Sequence, residues 1–180
     1  MQNWLLLIVS SAVVLSFYDI SKKAAVNGNS VMPTLFFATL SGTTFYLLAL
    51  PFAGVSLAAA AACGPTVWLL IFVKALLVSG VWTFSYYALR VLPISIVVPI
   101  RASSPLWNFI GGVILFHEVP SPLHGLAMLL VFAGYYLFSV AGRMEGISFL
   151  KHRGIHFIMI GTLFASASAL YDKQVLGVWR

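Results

Sequence analysis

The sequence predicts an all-α, polytopic helical membrane protein with six transmembrane helices. Hydrophobic residues make up 61% of its 180 residues and charged residues only 8%, whereas a soluble domain typically carries about 25% charged residues. The chain also contains six apolar stretches, each close to the roughly 20 residues that cross a bilayer as a helix. Because these runs are continuously apolar rather than alternating, they should be helices, which pair their own backbone polar groups in lipid.

The predicted spans follow one another with short connectors, so consecutive helices should be antiparallel neighbours. Lys22 and Lys23 follow the first apolar run instead of preceding it, which favours an uncleaved helix over a signal peptide. Gly64-Pro65 separates the second span from the third, and Pro93 separates the third from the fourth. The six spans are Trp4–Ala24, Met32–Phe52, Val67–Leu89, Ile94–Phe116, Leu123–Ala141 and Ile155–Leu176.

The fourth predicted span is the least regular, since it contains two prolines and an arginine. Pro99 and Pro105 should each remove a backbone hydrogen bond and bend the helix, and Arg101 between them is costly to bury in lipid. Polar and small residues recur here at helical spacing, and this stripe should face other helices or a watery cavity. The alternative is a kinked helix whose arginine reaches the interface or pairs structurally. The stripe comprises Arg101, Ser104, Pro105, Asn108, Gly111 and Gly112.

Several residues between the third and fifth spans occur in an order that a known family shares. They are Tyr87–Pro93, Pro105, Glu118 and Gly134. With these residues the chain resembles the EamA family of the drug/metabolite transporter superfamily. His117 departs from the pattern, because the family usually has a glycine before the glutamate.

The resemblance implies ten helices in two five-helix repeats of opposite orientation, and the transport of small metabolites. Residues 1–142 would form the first repeat, residues 143–154 a cytoplasmic connector, and residues 155–180 the truncated start of a second, inverted repeat. The Tyr171-Asp172 pair ending the sixth span echoes Tyr18-Asp19 in the first, as a repeat predicts. Such a chain should need a second copy of itself (a homodimer) or a second half-transporter to enclose a transport path.

Basic residues are unevenly distributed between the two sides of the membrane. The excess predicts that the connector between spans five and six is cytoplasmic and that both termini lie outside, whereas the resemblance implies cytoplasmic termini; both orientations stay open. The net charge of +6 comes from basic residues at the ends of spans, so we interpret it as a signal for orientation in the membrane. No nucleic-acid partner is predicted. One side carries Lys22, Lys23, Arg90, Arg143, Lys151 and Arg153, and the other carries Lys173 and Arg180.

The few ionisable residues inside the predicted spans should form two pairs. From the helix rise, Asp19 and Arg101 lie at similar depths near one side of the membrane, and Lys74 and Asp172 near the other. Charges inside a membrane are candidates for function, so we interpret them as groups that bind a solute or couple transport to protons. The alternative is that the pairs only neutralise buried charge and orient helices.

Aromatic residues near these charges form a second candidate set. Tyr18, Trp82, Trp107 and the neighbouring Asn108 could line a cavity for an amphipathic or aromatic solute. The alternative is that the tryptophan and tyrosine rings are anchors at the membrane interface.

Glu118 ends the fourth span, where a carboxylate is unfavourable against the helix dipole, so hydrogen bonding within the following turn is expected. His117 and His124 lack the spacing of a metal site, and neither a metal nor a cofactor is predicted. The family-motif residues given structural roles are Pro93, Pro99, Pro105, Glu118 and Gly134.

The function predicted from the sequence is secondary transport of small organic metabolites or drugs across the cytoplasmic membrane, by ion coupling or exchange. The partners would be the lipid bilayer and a small-molecule solute, and the protein would not be an enzyme. One alternative is an integral-membrane enzyme acting on lipid or isoprenoid substrates, for which His117, Glu118 and His124 are the only cluster. The other is an inactive or structural membrane subunit, because the second repeat is missing.

Overall fold

The computed structural model of the protein describes residues 3–53, 62–119, 121–144 and 151–178. This part of the chain contains helices and short connections and no strand. Pro120, residues 145–150 of the predicted connector and Arg180 lie outside the described residues. The helices are α1 (Asn3–Val26), α2 (Val31–Ala49), α3 (Pro65–Val91), α4 (Ile94–Arg101), α5 (Ser104–Phe116), α6 (Pro122–Met144) and α7 (Arg153–Val178), with a short 3-10 helix, Leu50–Ala53, after α2.

Four described segments are long and apolar enough to cross a membrane. They are Trp4–Val26, Val31–Phe52, Pro65–Val91 and Arg153–Gly177, at the positions of the first, second, third and sixth predicted spans. At the fifth, α6 contains a shorter apolar segment, Pro122–Gly134. The helices confirm the prediction of an all-α, polytopic membrane protein.

The fourth predicted span is two helices instead of one kinked helix. α4 ends at Arg101 and α5 begins three residues later. Pro105 therefore lies in the first turn of α5, where its missing N–H has no helical partner to lose, so the prediction that it removes a hydrogen bond and bends a helix is wrong. Pro99 does lie inside a helix. At the break, the N–H and the hydroxyl of Ser103 donate to the carbonyl of Ile100, at 3.0 and 2.7 Å.

The buried apolar core lies at one end of the bundle, where α1 and α3 end and where α2, α4 and α7 begin. Lys23, near the end of α1, donates from Nζ to the carbonyls of Leu89 at 2.5 Å and Leu92 at 2.9 Å. These bonds satisfy carbonyls that the end of α3 leaves without helical partners, and they fix the end of α1 against the end of α3. The core comprises Val26, Val31, Tyr86, Ala88, Leu89, Leu92, Ile96, Val97, Ile100, Ile155 and Ile158.

α7 is the central helix of the described bundle, because it packs along α3 and also against α4 and α5. Two glycines allow the close approach to α3: a Cβ at Gly161 would lie 3.3 Å from Ser85 Oγ, and one at Gly80 would lie 2.6 Å from the ring of Phe164. Of the apolar window in α7, 39% is buried inside the protein, against 6% or less in α1, α2 and α3.

α1, α2 and α6 lie at the periphery and present apolar side chains outward. Leu7, Phe37 and Leu129 are 70%, 64% and 66% exposed. In a membrane protein such surfaces face lipid, which is as apolar as the side chains themselves.

Candidate functional site

The predicted charged residues come together in two groups at opposite ends of α3. Lys74 and Tyr86 mark the two levels, and their separation of twelve positions corresponds to about 18 Å along the helix. The Asp19 cluster contains Tyr18, Asp19, Lys22, Trp82, Tyr86 and Arg101. The Asp172 cluster contains Lys74, Glu118, Asp172 and Lys173.

Asp19 is the centre of the first group, and its carboxylate is held by two cations. Arg101, the last residue of α4, approaches with both terminal nitrogens: Nη1 donates to Oδ1 at 3.0 Å and Nη2 donates to Oδ2. Lys22 Nζ lies 3.1 Å from Oδ1, and only 7% of the Asp19 side chain is exposed. The predicted contact between Asp19 and Arg101 is therefore present, in the two-pronged geometry that makes arginine–carboxylate pairs strong.

Lys22 is also enclosed by aromatic rings. Its Nζ lies 4.2 Å from the ring centre of Tyr18, 5.0 Å from that of Trp82 and 5.9 Å from that of Tyr86. The rings contact one another as well, with centres 6.0 Å apart for Tyr18 and Trp82 and 6.2 Å apart for Trp82 and Tyr86. All three rings are within the range of cation–π attraction.

Lys22 is the member of this site that was not predicted from the sequence, whereas Tyr86 was expected on the same face of the third span as Trp82. Lys22 was interpreted as a charge at the end of a span, but α1 continues to Val26 and carries Lys22 inside the bundle. A signal was available, because Tyr18 and Lys22 are four residues apart, as are Trp82 and Tyr86, and this spacing places each pair on one helix face.

A cavity of about 460 Å³ adjoins the Asp19 cluster between α1, α2 and α3. Rings of the cluster form one wall, and small and hydroxyl residues of α2 form another. Its volume is within the range of small-molecule pockets. The structure thus places the predicted residues Tyr18 and Trp82 at a cavity, and the lining is Tyr18, Leu35, Ala38, Thr39, Gly42, Thr43, Tyr46, Trp82 and Tyr86.

The second predicted pair is present at the other end of α3 and is more exposed. Lys74 Nζ lies 2.5 Å from Asp172 Oδ2, with 32% and 51% of the two side chains exposed. Lys74 also donates to the Ser168 carbonyl at 3.2 Å, and the Tyr171 hydroxyl donates to the Leu70 carbonyl at 3.1 Å. These contacts join α3 to α7 beside a groove of about 370 Å³.

Glu118 reaches beyond its own turn. Its carboxylate pairs with Lys173 on α7, whose Nζ lies 4.9 Å from the ring centre of Phe116. Hydrogen bonds within the turn were expected to hold this side chain, and the structure shows a partner on another helix. The preceding residue, His117, has a φ of 52°, in the left-handed region that favours glycine, and this explains why a glycine suits the position.

Trp107 and Asn108 do not join either group. Both lie on α5, and Trp107 Nε1 and Asn108 Oδ1 are buried without a hydrogen-bond partner among the described residues. An unpaired buried polar group costs about 1–3 kcal/mol. Their neighbour on the predicted stripe, Ser104, contacts α7 instead, with its Oγ 3.3 Å from that of Ser166.

The remaining candidates have local roles. Pro93 precedes the first residue of α4 and ends the preceding connection. A Cβ at Gly134 would meet nothing within 4 Å among the described atoms. Across the described ranges no three histidine, cysteine or acidic side chains form a group able to hold a metal. His124 bonds Ser121, 2.7 Å from Nδ1 to Oγ, and lines a cavity of about 390 Å³ together with Glu118.

Comparison with known proteins assigns a family. The profile described as the EamA-like transporter family matches residues 2–140, which is most of the chain. No curated protein and no solved structure matches the chain.

Proposed function

Because the chain belongs to the EamA-like transporter family, we propose that it is a secondary transporter of small organic solutes in the cytoplasmic membrane, driven by ion coupling or exchange. The observation that carries the proposal is a buried carboxylate, Asp19, held by two cations directly beside an aromatic cavity of about 460 Å³. Charges at such depth in a membrane protein are rarely kept without a role.

The geometry favours Asp19 as the coupling group over the more exposed Asp172. Asp19 has two cationic partners, so one can leave while the other still compensates the carboxylate. Tyr18 is its chain neighbour and lines the cavity. An occupant of the cavity therefore lies one residue away from the carboxylate, which is what coupling between solute and carboxylate requires.

The enzyme alternative receives no support from the arrangement of its candidate residues. Glu118 pairs with Lys173, and His124 bonds Ser121. Both side chains line a cavity of about 390 Å³, but acid–base catalysis needs groups that are free to act on one reacting atom, and each of these is already bonded to another residue.

The test is transport by the purified chain in liposomes. A panel of radiolabelled amino acids, nucleosides and organic amines is offered under an imposed proton gradient and, separately, in counterflow. We expect at least one solute to accumulate, and Asp19→Asn to abolish accumulation while Asp172→Asn retains most of it.

Two results would contradict the proposal. One is the absence of any movement at every protein-to-lipid ratio. The other is equal activity of wild type and Asp19→Asn in vesicles that contain equal amounts of folded helix by circular dichroism.

A further inference from the structure

The surroundings of the Lys22 ammonium are those of a binding site for an organic cation. Three aromatic rings lie within 6 Å of Nζ and the Asp19 carboxylate lies 3.1 Å from it. Aromatic faces combined with a carboxylate are the environment that proteins use to bind alkylammonium groups. In this structure the occupant of the cage is the protein's own side chain.

The cage shares its walls with the cavity. The rings that surround Lys22, those of Tyr18, Trp82 and Tyr86, are also lining residues of the 460 Å³ cavity. Lys22 lies behind them, since only 8% of its side chain is exposed. The cavity offers mostly apolar surface together with the hydroxyl groups of Thr39 and Thr43, so it suits a solute with an apolar body and one amine.

Lys22 can leave the cage without breaking the cluster. The two-pronged contact from Arg101 remains on Asp19, so the carboxylate stays compensated. Lys22 precedes the end of α1 by four residues, which is about 6 Å along the helix. A lysine side chain spans this distance and can extend its ammonium group to the membrane interface. Replacing one ammonium by another also leaves the charge of the cage unchanged.

We propose that the Asp19 cluster is an organic-ammonium site in which Lys22 is a tethered competitor. The ammonium of the solute takes the place of the Lys22 ammonium between Tyr18, Trp82 and Tyr86, and the return of Lys22 expels it. This inference rests on the proposed function, because it assigns a solute class to the same cavity.

The test is calorimetric titration of the chain in lipid nanodiscs with benzyltrimethylammonium. In the wild type, the cation can bind only while Lys22 is out of the cage, so the apparent affinity is the intrinsic affinity multiplied by the fraction of time for which the cage is open. If that fraction is about one tenth, Lys22→Met will bind the cation about tenfold more tightly. A folding defect cannot imitate a gain in affinity. Lys151→Met removes the same charge from an exposed position outside both clusters and should bind like the wild type.

A second variant tests the rings. Trp82→Leu should bind benzyltrimethylammonium about tenfold more weakly, because it removes one aromatic face and the contact area of the indole ring. Trp68→Leu is the matched control, since Trp68 lies on the same helix and is 50% exposed. It should leave the affinity unchanged.

Neutral and anionic probes of similar shape separate the outcomes. Benzyl alcohol should gain nothing from Lys22→Met. The proposal is overturned if Lys22→Met binds the cation no more tightly than wild type does, or if it loses affinity for phenylacetate, which would make the site an anion site. A gain in cation affinity without transport of any solute would instead refute the transporter proposal and leave the cation site standing.

Discussion

Two Tyr-Asp pairs that look alike in the sequence differ in their surroundings. Only 7% of the Asp19 side chain is exposed, and it has two cationic partners. The side chain of Asp172 is 51% exposed and pairs with Lys74. Exposed ion pairs contribute between about 0 and 1 kcal/mol, whereas removing one partner of a buried pair costs about 3–5 kcal/mol. The likeness of the two pairs therefore does not give them equal roles, and the buried one is the better coupling candidate.

Asn108 carries a prediction of its own, because its side-chain oxygen is buried without a partner among the described residues. Asn108→Leu keeps the branching and the number of side-chain heavy atoms and removes the unpaired acceptor, so we expect it to stabilise the resting protein by about 1–3 kcal/mol. If the amide serves transport, the same variant will transport more slowly. Thermal unfolding in detergent and liposome uptake measure the two effects.

The control for Asn108 is Asn29→Leu. Asn29 is exposed, and its Nδ2 donates to the Ala25 carbonyl at 2.9 Å, so its replacement should not stabilise the protein. Destabilisation by Asn108→Leu would mean that the amide has a partner in the membrane-embedded protein. An unchanged uptake rate would limit Asn108 to a packing role.

The two ion pairs, Asp19 with Arg101 and Lys74 with Asp172, could be predicted from the sequence, but the aromatic rings around Lys22 could not. The helix rise was sufficient to pair Asp19 with Arg101, because depth depends only on position along a span. The cage around Lys22 depends on which face of α1 meets α3, and that rotation is a property of packing. Continuously apolar spans carry almost no sequence signal for it, since nearly every face could be buried.

At the scale of elements, the end of α5 has a strained backbone conformation at His117, the position where the family usually has a glycine. His117 adopts a φ of 52° as the helix ends, and its N–H bonds the carbonyl of Gly112. A side chain in this conformation costs about 1–2 kcal/mol relative to glycine. The turn then directs Glu118 back over Gly112, where an added Cβ would lie 2.8 Å from Glu118 Oε2. This direction of the chain brings Glu118 to Lys173, with which it forms the ion pair.

His117→Gly should therefore stabilise the protein. Relief of the left-handed strain exceeds the backbone entropy that glycine adds to the unfolded chain, which leaves a net gain of about 0.5–1 kcal/mol. The matched control is His156→Gly, an exposed histidine in α7, which should lose about 0.5–1 kcal/mol. Thermal unfolding of both variants in one detergent measures the difference, and a loss of stability in both would contradict the assigned backbone conformation.

The break between α4 and α5 is the element that the sequence predicted least well. A proline in mid-span and a proline in a first turn give the same local pattern. Tertiary contacts distinguish the two cases, because Arg101 reaches Asp19 on α1 while Ser104 reaches Ser166 on α7. A single continuous helix would present the predicted stripe to one neighbour. The break lets the stripe contact two helices, α1 through Arg101 and α7 through Ser104.

For the whole molecule, the placement of α7 changes how the charge asymmetry is interpreted. α7 joins the bundle at both ends, through the apolar core at Ile155 and Ile158 and through the pairs of Asp172 and Lys173. Lys22 and Lys23 are likewise used inside the bundle, as an ion pair and as a cap. Because these two lysines have structural partners, they carry less weight in the positive-inside rule, and the predicted orientation depends mainly on the other basic residues.

The arrangement of helices also bears on the number of chains that a transport path needs. The cavity of the Asp19 cluster has walls from α1, α2 and α3, and Tyr46 on its rim is 72% exposed. A solute path must be closed on all sides against lipid, so we expect a second copy of the chain to supply the missing wall. We expect vesicles that contain one copy of the chain to be silent. Diluting the protein into an excess of vesicles tests this, because the active fraction should then follow the share of vesicles that received two or more copies. An active fraction that follows singly occupied vesicles would mean that one chain encloses the path alone.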